Sequence, residues 1–142
     1  MRVEGEWEPG QDGVPRPSVK AFVQTAGGGW VEVSFLVDTG ADRTVFSAEL
    51  LGRLGGDVRT AVKNLGGVGG ETATVFLHTC LRLTSVAGGP VNFRAEFAAF
   101  PDPLALDQPV LGRDVLNVFT VVVDRPRRAV CLLHGAEVYP SA

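Results

Sequence analysis

The 142-residue sequence lacks the features that mark several large classes of protein. It has only two histidines, His78 and His134, and they lie far apart without the spacing of metal ligands. A formal net charge of −3 gives no general attraction to nucleic acid or acidic membranes. No apolar run approaches the length of a transmembrane helix, and the acidic N-terminus has no signal-peptide core. We therefore expect a cytoplasmic protein without a metal ion or cofactor, and without nucleic-acid or membrane partners.

Cysteine is also scarce. Cys80 and Cys131 are the two cysteines, and they form no Cys-x-x-Cys pattern. Because a chain without a signal sequence is not expected to meet an oxidising compartment, we predict two buried thiols rather than a disulfide.

Glycine is abundant and separates many short runs rich in valine. The 18 glycines and 9 prolines are spaced as turn signals, which predicts many short strands and a β-sandwich or barrel. Residues 1–17 are rich in Glu, Gly and Pro, so we predict a flexible N-terminal arm. Residues 18–142 are long enough for a single domain with a sizeable core.

Hydrophobic alternation and turn residues place the individual elements. A helix over residues 48–54 is predicted by its N-cap Ser47 and by the glycines that follow it. A helical turn is expected at residues 112–116. Strands are predicted at residues 18–25, 30–37, 44–46, 58–65, 71–83, 91–100, 119–124 and 129–133.

An acid stands at the end of the second predicted strand. Phe35-Leu36-Val37 is an apolar run, and it is followed directly by Asp38-Thr39-Gly40. A carboxylate is seldom fully buried unless its charge is balanced, so this placement needs an explanation. The alternative is that Asp38 only starts a turn, since Asp-x-Gly is ordinary turn chemistry.

Two further segments support a functional role for this acid. A glycine-rich segment, Gly66-Gly67-Val68-Gly69-Gly70, follows it, and then Val110-Leu111-Gly112-Arg113-Asp114. With Asp38-Thr39-Gly40-Ala41-Asp42, these segments resemble the retropepsin-type aspartic proteases, the family of the retroviral proteases and their cellular and bacterial relatives. The resemblance covers roughly residues 18–133. It implies an all-β acid-protease barrel with a flap hairpin and one or two short helices.

The same resemblance implies an aspartic endopeptidase that acts on a peptide or protein substrate. Such hydrolysis needs two carboxylates that share a proton around one water molecule. The chain has a single Asp-Thr-Gly, so the second carboxylate must be Asp38 of another copy. A homodimer with C2 symmetry supplies it.

The neighbours of Asp38 have roles implied by the family. Thr39 is expected to bond the partner's loop across the dimer, and Gly40 lets the backbone pass close to the carboxylate and substrate. At the position of Ala41, pepsin-like relatives carry Ser or Thr. The hydroxyl of that Ser or Thr favours the charged form of the carboxylate. Because Ala41 has no such donor, we expect activity at weakly acidic to near-neutral pH.

Asp42 and Arg113 are expected to form an ion pair that braces the active loop against the short helix. The alternative is that both are solvated surface charges. Gly66 to Gly70 would form the flap, with backbone N–H groups that hold substrate carbonyls, or else an ordinary glycine-rich hairpin. The motif around Arg113 is completed by Val110, Leu111, Gly112 and Asp114.

Two other functions stay open at the level of sequence. The domain is then either a non-catalytic retropepsin-like dimerisation or peptide-binding domain, or an unrelated β-barrel binding module that is monomeric. The hairpin of residues 119–133 is a candidate dimer interface. Arg43, Val45, Val68 and Val110 predict apolar substrate pockets with a basic edge.

Overall fold

The computed structural model describes residues 1–55, 59–67 and 70–135. The strands are β1 (Arg2–Glu4), β2 (Glu6–Pro9), β3 (Pro15–Gln24), β4 (Trp30–Val37), β5 (Val45–Phe46), β6 (Arg59–Gly67), β7 (Gly70–Thr84), β8 (Pro90–Ala99), β9 (Val110–Leu111), β10 (Thr120–Asp124) and β11 (Ala129–Leu133). The helices are α1 (Ala48–Leu54) and α2 (Arg113–Leu116). The all-β class with short helices is confirmed.

The strands form two sheets. An eight-stranded sheet has the order β2-β3-β4-β9-β5-β8-β7-β6, and a three-stranded sheet has the order β1-β11-β10. Strand β3 also pairs with β7, through Phe22 with Arg82 and Val23 with Leu81. This extra pairing folds the large sheet back on itself, as a barrel requires.

Aromatic side chains fill the centre of the core. The Phe46 ring stacks on Phe97 with centroids 5.3 Å apart and meets the edge of Phe35 at 5.9 Å. Strand β4 alternates as predicted near its end, since Phe35 and Val37 are buried while Glu32 is exposed. The strand that leads to Asp38 is therefore anchored in the main core.

The first seventeen residues differ from the predicted flexible arm. Strand β1 pairs with β11 and β2 pairs with β3, and Val3 is only 2% exposed. The Trp7 indole packs on the core and donates a hydrogen bond to the Ala129 carbonyl at 3.3 Å. The partners of β1 and of the Trp7 indole lie more than a hundred positions away, so the local Glu, Gly and Pro content does not reveal these contacts.

A turn between β2 and β3 extends this N-terminal region. Arg16 contacts both Asp12 and Asp107, at 3.2 and 3.1 Å. The Val14 N–H donates to Asp12 and, with Arg16, keeps the pKa of that carboxyl below its usual value. Asp107 precedes β9 by three residues, so the turn is tied to the segment that supports Asp38.

The helices and cysteines agree with the sequence. The Ser47 hydroxyl accepts from the Leu50 N–H at 3.3 Å, and Gly55, with φ of 65°, ends α1. Cys80 and Cys131 are buried free thiols, and burial raises the pKa of Cys131. Within the described ranges, neither helix has the length and apolar character needed to cross a membrane.

Candidate active site

Asp38 directly follows β4 and is held by the neighbouring strand. Strands β4 and β9 are parallel, with Leu36 opposite Val110 and Val37 opposite Leu111. The Asp38 N–H then donates to the Leu111 carbonyl at 3.1 Å. The two apolar residues before Gly112 therefore fix the backbone of the acid, although about seventy residues separate them in the sequence.

The turn after Asp38 wraps around its carboxylate. The Gly40 N–H donates to Asp38 Oδ1 at 3.0 Å, and the Ala41 N–H donates to the Asp38 carbonyl at 3.2 Å. A Cβ atom on Gly40 would lie 3.2 Å from Oδ1, which is tighter than ordinary contact. Asp38 is half-buried, and among the described residues its Oδ2 atom has no hydrogen-bond donor.

Thr39 lies at the outer side of this loop. It is exposed, and its hydroxyl makes no hydrogen bond to any part of the chain that the structure describes. Its carbonyl accepts a long hydrogen bond of 3.5 Å from Arg113 Nη1. The Thr39 hydroxyl is therefore available to a group outside the chain.

Arg113 connects the loop to helix α2. Its guanidinium forms an ion pair with Asp42, and its backbone N–H donates to the Ala41 carbonyl at 2.9 Å. The Asp42 side chain is 81% exposed and that of Arg113 is 46% exposed. Since exposed pairs contribute little to stability, this pair positions the loop more than it stabilises the domain.

Thr44 and Asp114 form a second connection that sequence reasoning missed. Asp114 Oδ1 accepts from the Thr44 N–H at 2.9 Å, the Thr44 hydroxyl at 2.7 Å and the Val115 N–H at 2.9 Å. The Thr44 hydroxyl also accepts from the Gly112 N–H at 3.1 Å. Thr44 is 0% exposed. An aspartate in the first turn of a predicted helix was the available signal, because such a residue caps backbone N–H groups.

Gly112 is required by close packing. A Cβ atom at this position would lie 2.3 Å from the Arg43 carbonyl carbon and 2.4 Å from its oxygen. The Arg43–Thr44 peptide therefore crosses directly over Gly112. This contact explains the glycine of the Val110-Leu111-Gly112 motif on steric grounds.

The glycine-rich segment lies in the hairpin of β6 and β7. Gly66 pairs with Glu71, and Gly67 pairs with Gly70. Val68 and Gly69 of the predicted flap lie outside the described residues. The hairpin geometry is compatible with a flap, and the described residues give no contact between it and Asp38.

The remaining reactive side chains stay apart from this loop. His78 lies 3.9 Å from Glu96 on the surface of β7 and β8, and His134 follows β11. Among the described residues no group of three or more His, Cys, Asp or Glu side chains is arranged to hold a metal ion.

Comparisons with known proteins agree with this geometry. The family model described as aspartyl protease matches residues 23–115, which is more than half of the chain. No match is found among curated proteins.

The solved structures that share the fold include two proteases. A retropepsin-like aspartic protease from Rickettsia conorii is 20% identical, with a TM-score of 0.63, over 93% of this chain and 98% of that chain. The EIAV protease, solved with the inhibitor HBY-793, is 24% identical, with a TM-score of 0.53, over 72% of this chain and 86% of that chain. The chain thus has a retropepsin-like fold and belongs to the aspartyl protease family.

Proposed function

We propose that this chain is an aspartic endopeptidase whose active site forms across a C2 homodimer. The observation that carries the proposal is the single Asp38 loop, which presents an unpartnered Oδ2 atom and an unpartnered Thr39 hydroxyl at the surface of the described domain. Family membership supports the chemistry, and the single copy of the loop supports the dimer. A second copy related by a twofold axis supplies the missing carboxylate and a partner for Thr39.

The reaction follows from two carboxylates that share one proton. Two adjacent carboxyl groups do not both ionise readily, so one Asp38 is charged and the other is protonated. The charged Asp38 removes a proton from a water molecule, whose oxygen attacks the peptide carbonyl carbon, while the protonated Asp38 gives its proton to the carbonyl oxygen. The C–N bond then breaks as the leaving nitrogen takes a proton from the dyad.

The surrounding residues orient this pair. The Gly40 N–H fixes one oxygen of Asp38, and the Asp42–Arg113 pair holds the loop against α2. The hairpin around Gly66 to Gly70 would close over the substrate, and its glycines would allow the backbone to approach it.

The proposed contact surface is the edge of β10 that has no partner strand among the described residues. Strand β10 lies at the end of the three-stranded sheet, while β1 already covers the other side of β11. Val118 and Val123 beside this edge are 49% and 45% exposed. Pairing of two β10 edges would join the two small sheets and cover these side chains.

Replacement of Asp38 tests the proposed function. In Asp38→Asn we expect cleavage of a peptide library to vanish, while size by light scattering still shows a dimer. The matched control is Glu32→Gln, which changes an exposed carboxyl on the strand that leads to Asp38 and should leave cleavage intact. Wild-type dimers without any cleavage would instead support the non-catalytic alternative, and a monomer at all concentrations would contradict the shared site.

A further inference from the structure

A row of apolar side chains crosses the large sheet beside the active loop. Val45 on β5 is opposite Ala98 on β8, and Ala98 is opposite Phe76 on β7. In the other direction Val45 is opposite Val110 on β9. Partners in register point to the same face of a sheet, so these residues form one continuous strip.

This strip lies on the opposite face from the main core. The next residues along the same strands, Phe46, Ala99 and Val75, belong to the main core cluster. Val45, Ala98 and Phe76 form a separate cluster, with Phe100 and Leu106 packed against it. The sheet therefore has a second apolar face that the main core does not use.

The alternation of side chains places Asp38 on this second face. Leu36 is opposite Val110 in the strip, and Asp38 follows two residues later. Neighbouring strands lie about 4.8 Å apart, so Val45 is about 10 Å from Leu36 across two strand spacings. The strip itself is buried, since Val45 is 7% and Phe76 is 5% exposed. A peptide bound at Asp38 would therefore meet the exposed side chains at its border within a few residues.

Arg43 places a positive charge beside the apolar strip. It precedes Val45 by two positions, so it shares the same face, and its guanidinium carbon lies 5.7 Å from the Phe76 ring centroid. Arg43 is exposed, and it has no carboxylate partner among the described residues, since the adjacent Asp42 is engaged by Arg113. An arginine that contacts an aromatic ring keeps its N–H donors available for a carboxylate.

We propose that Arg43 is a specificity residue that selects substrates with an acidic side chain about one to three residues from the scissile bond. The Phe76 ring supports the Arg43 guanidinium at the border of the buried strip, and the exposed guanidinium binds the carboxylate of the substrate side chain. This inference rests on the proposed function, because it takes the peptide to be cleaved at Asp38.

Matched peptides that differ only in Glu, Gln or Lys at each position near the scissile bond provide the test. For the wild-type dimer we expect kcat/KM for the Glu peptide to exceed that for the Gln peptide by about fivefold or more at one position. In Arg43→Gln, which keeps much of the side-chain length over Phe76, the ratio should fall to about one. In Arg43→Glu the Lys peptide should become the preferred substrate.

Arg94→Gln is the control for a general charge effect. Arg94 is exposed and lies on β8 four residues before Ala98, on the same face but about 13 Å further along the strand. The Arg94→Gln variant should keep the wild-type ratio of kcat/KM between the Glu and Gln peptides. Retention of that ratio in Arg43→Gln, or a wild-type enzyme without acidic preference at any position, would overturn the proposal.

Binding of the same labelled peptides to the Asp38→Asn dimer, followed by fluorescence anisotropy, separates this proposal from the catalytic one. Cleavage without acidic preference would reject the role of Arg43 and leave the protease function intact. Preferential binding of Glu peptides that depends on Arg43, in a wild-type protein that cleaves nothing, would support the site and reject the catalytic function. If neither cleavage nor selective binding occurs, both proposals are wrong.

Discussion

The Thr44 hydroxyl donates to Asp114 Oδ1 at 2.7 Å and accepts from the Gly112 N–H at 3.1 Å. One fully buried side chain therefore joins the segment after Asp38 to the start of α2. The Asp42–Arg113 pair makes the same connection at the surface. The active loop thus has an inner attachment that should contribute to stability and an outer attachment that should contribute to function.

The inner attachment predicts a stability defect. Thr44→Val keeps the shape of the side chain but leaves the Gly112 N–H and one Asp114 interaction without a partner. We expect the free energy of unfolding to fall by about 2 kcal/mol, measured by urea denaturation. Thr44→Ser keeps the hydroxyl and should lose about 1 kcal/mol or less. Equal stability of Thr44→Val and the wild type would contradict this role.

Gly112 should tolerate no side chain. In Gly112→Ala the new methyl group would meet the Arg43 carbonyl carbon 2.3 Å away, and a backbone atom cannot move aside cheaply. We expect a loss of about 3 kcal/mol or more in thermal or chemical unfolding. Gly52→Ala is the matched control, because open space surrounds Gly52 in α1. This control should be neutral or gain up to about 1 kcal/mol.

The outer attachment predicts a functional defect with little change in stability. Arg113→Lys keeps the charge but loses the planar fork that contacts Asp42 and the Thr39 carbonyl. We expect the free energy of unfolding to change by about 1 kcal/mol or less, because both side chains are largely exposed. Cleavage, or dimer formation measured by sedimentation, should fall about tenfold, a change of about 1.4 kcal/mol. Unchanged cleavage and dimerisation in Arg113→Lys would show that these residues are only surface charges.

Position 41 is an alanine, without a side-chain hydroxyl, and this predicts how the cleavage rate depends on pH. Ala41 lies beside the Asp38 loop, and its N–H donates to the Asp38 carbonyl. Ala41→Ser adds a donor that favours the charged carboxylate, so the acid limb of the pH–rate profile should move to lower pH by roughly half a pH unit or more. The wild type should be most active at weakly acidic to near-neutral pH. A wild-type maximum at about pH 2 to 3 would argue against this explanation.

If two β10 edges pair in the homodimer, a charge placed on β10 should weaken the dimer. Val123→Lys places a charge on an edge strand, where lysine opposes strand pairing between molecules. The monomer should remain within about 0.5 kcal/mol of wild-type stability, because Val123 is 45% exposed. Specific activity should then depend steeply on protein concentration and recover at high concentration. Val86→Lys, at an exposed turn residue, is the control that should keep the wild-type dimer.

Much of the local structure follows from short-range sequence signals. Strand β4 has the predicted bounds because apolar and polar residues alternate over Trp30–Val37, and α1 has the predicted bounds because Ser47 caps it and Gly55 ends it. The all-β class was also predictable, from the many short valine-rich runs between glycines and prolines. Each of these depends on residues that are close together in the chain.

Other features depend on partners that are distant in the sequence. Strand β1 forms because β11 pairs with it, and the Trp7 indole is held by the Ala129 carbonyl; the local composition contains no trace of either contact. The same is true of the Thr44–Asp114 hydrogen bond and of the strip from Val110 to Phe76. The sequence by itself identified Asp38 as the acid of interest and predicted the strand before it and the helix after it. Tertiary structure alone decided which side chains share the face of Asp38, because sheet register sets that choice.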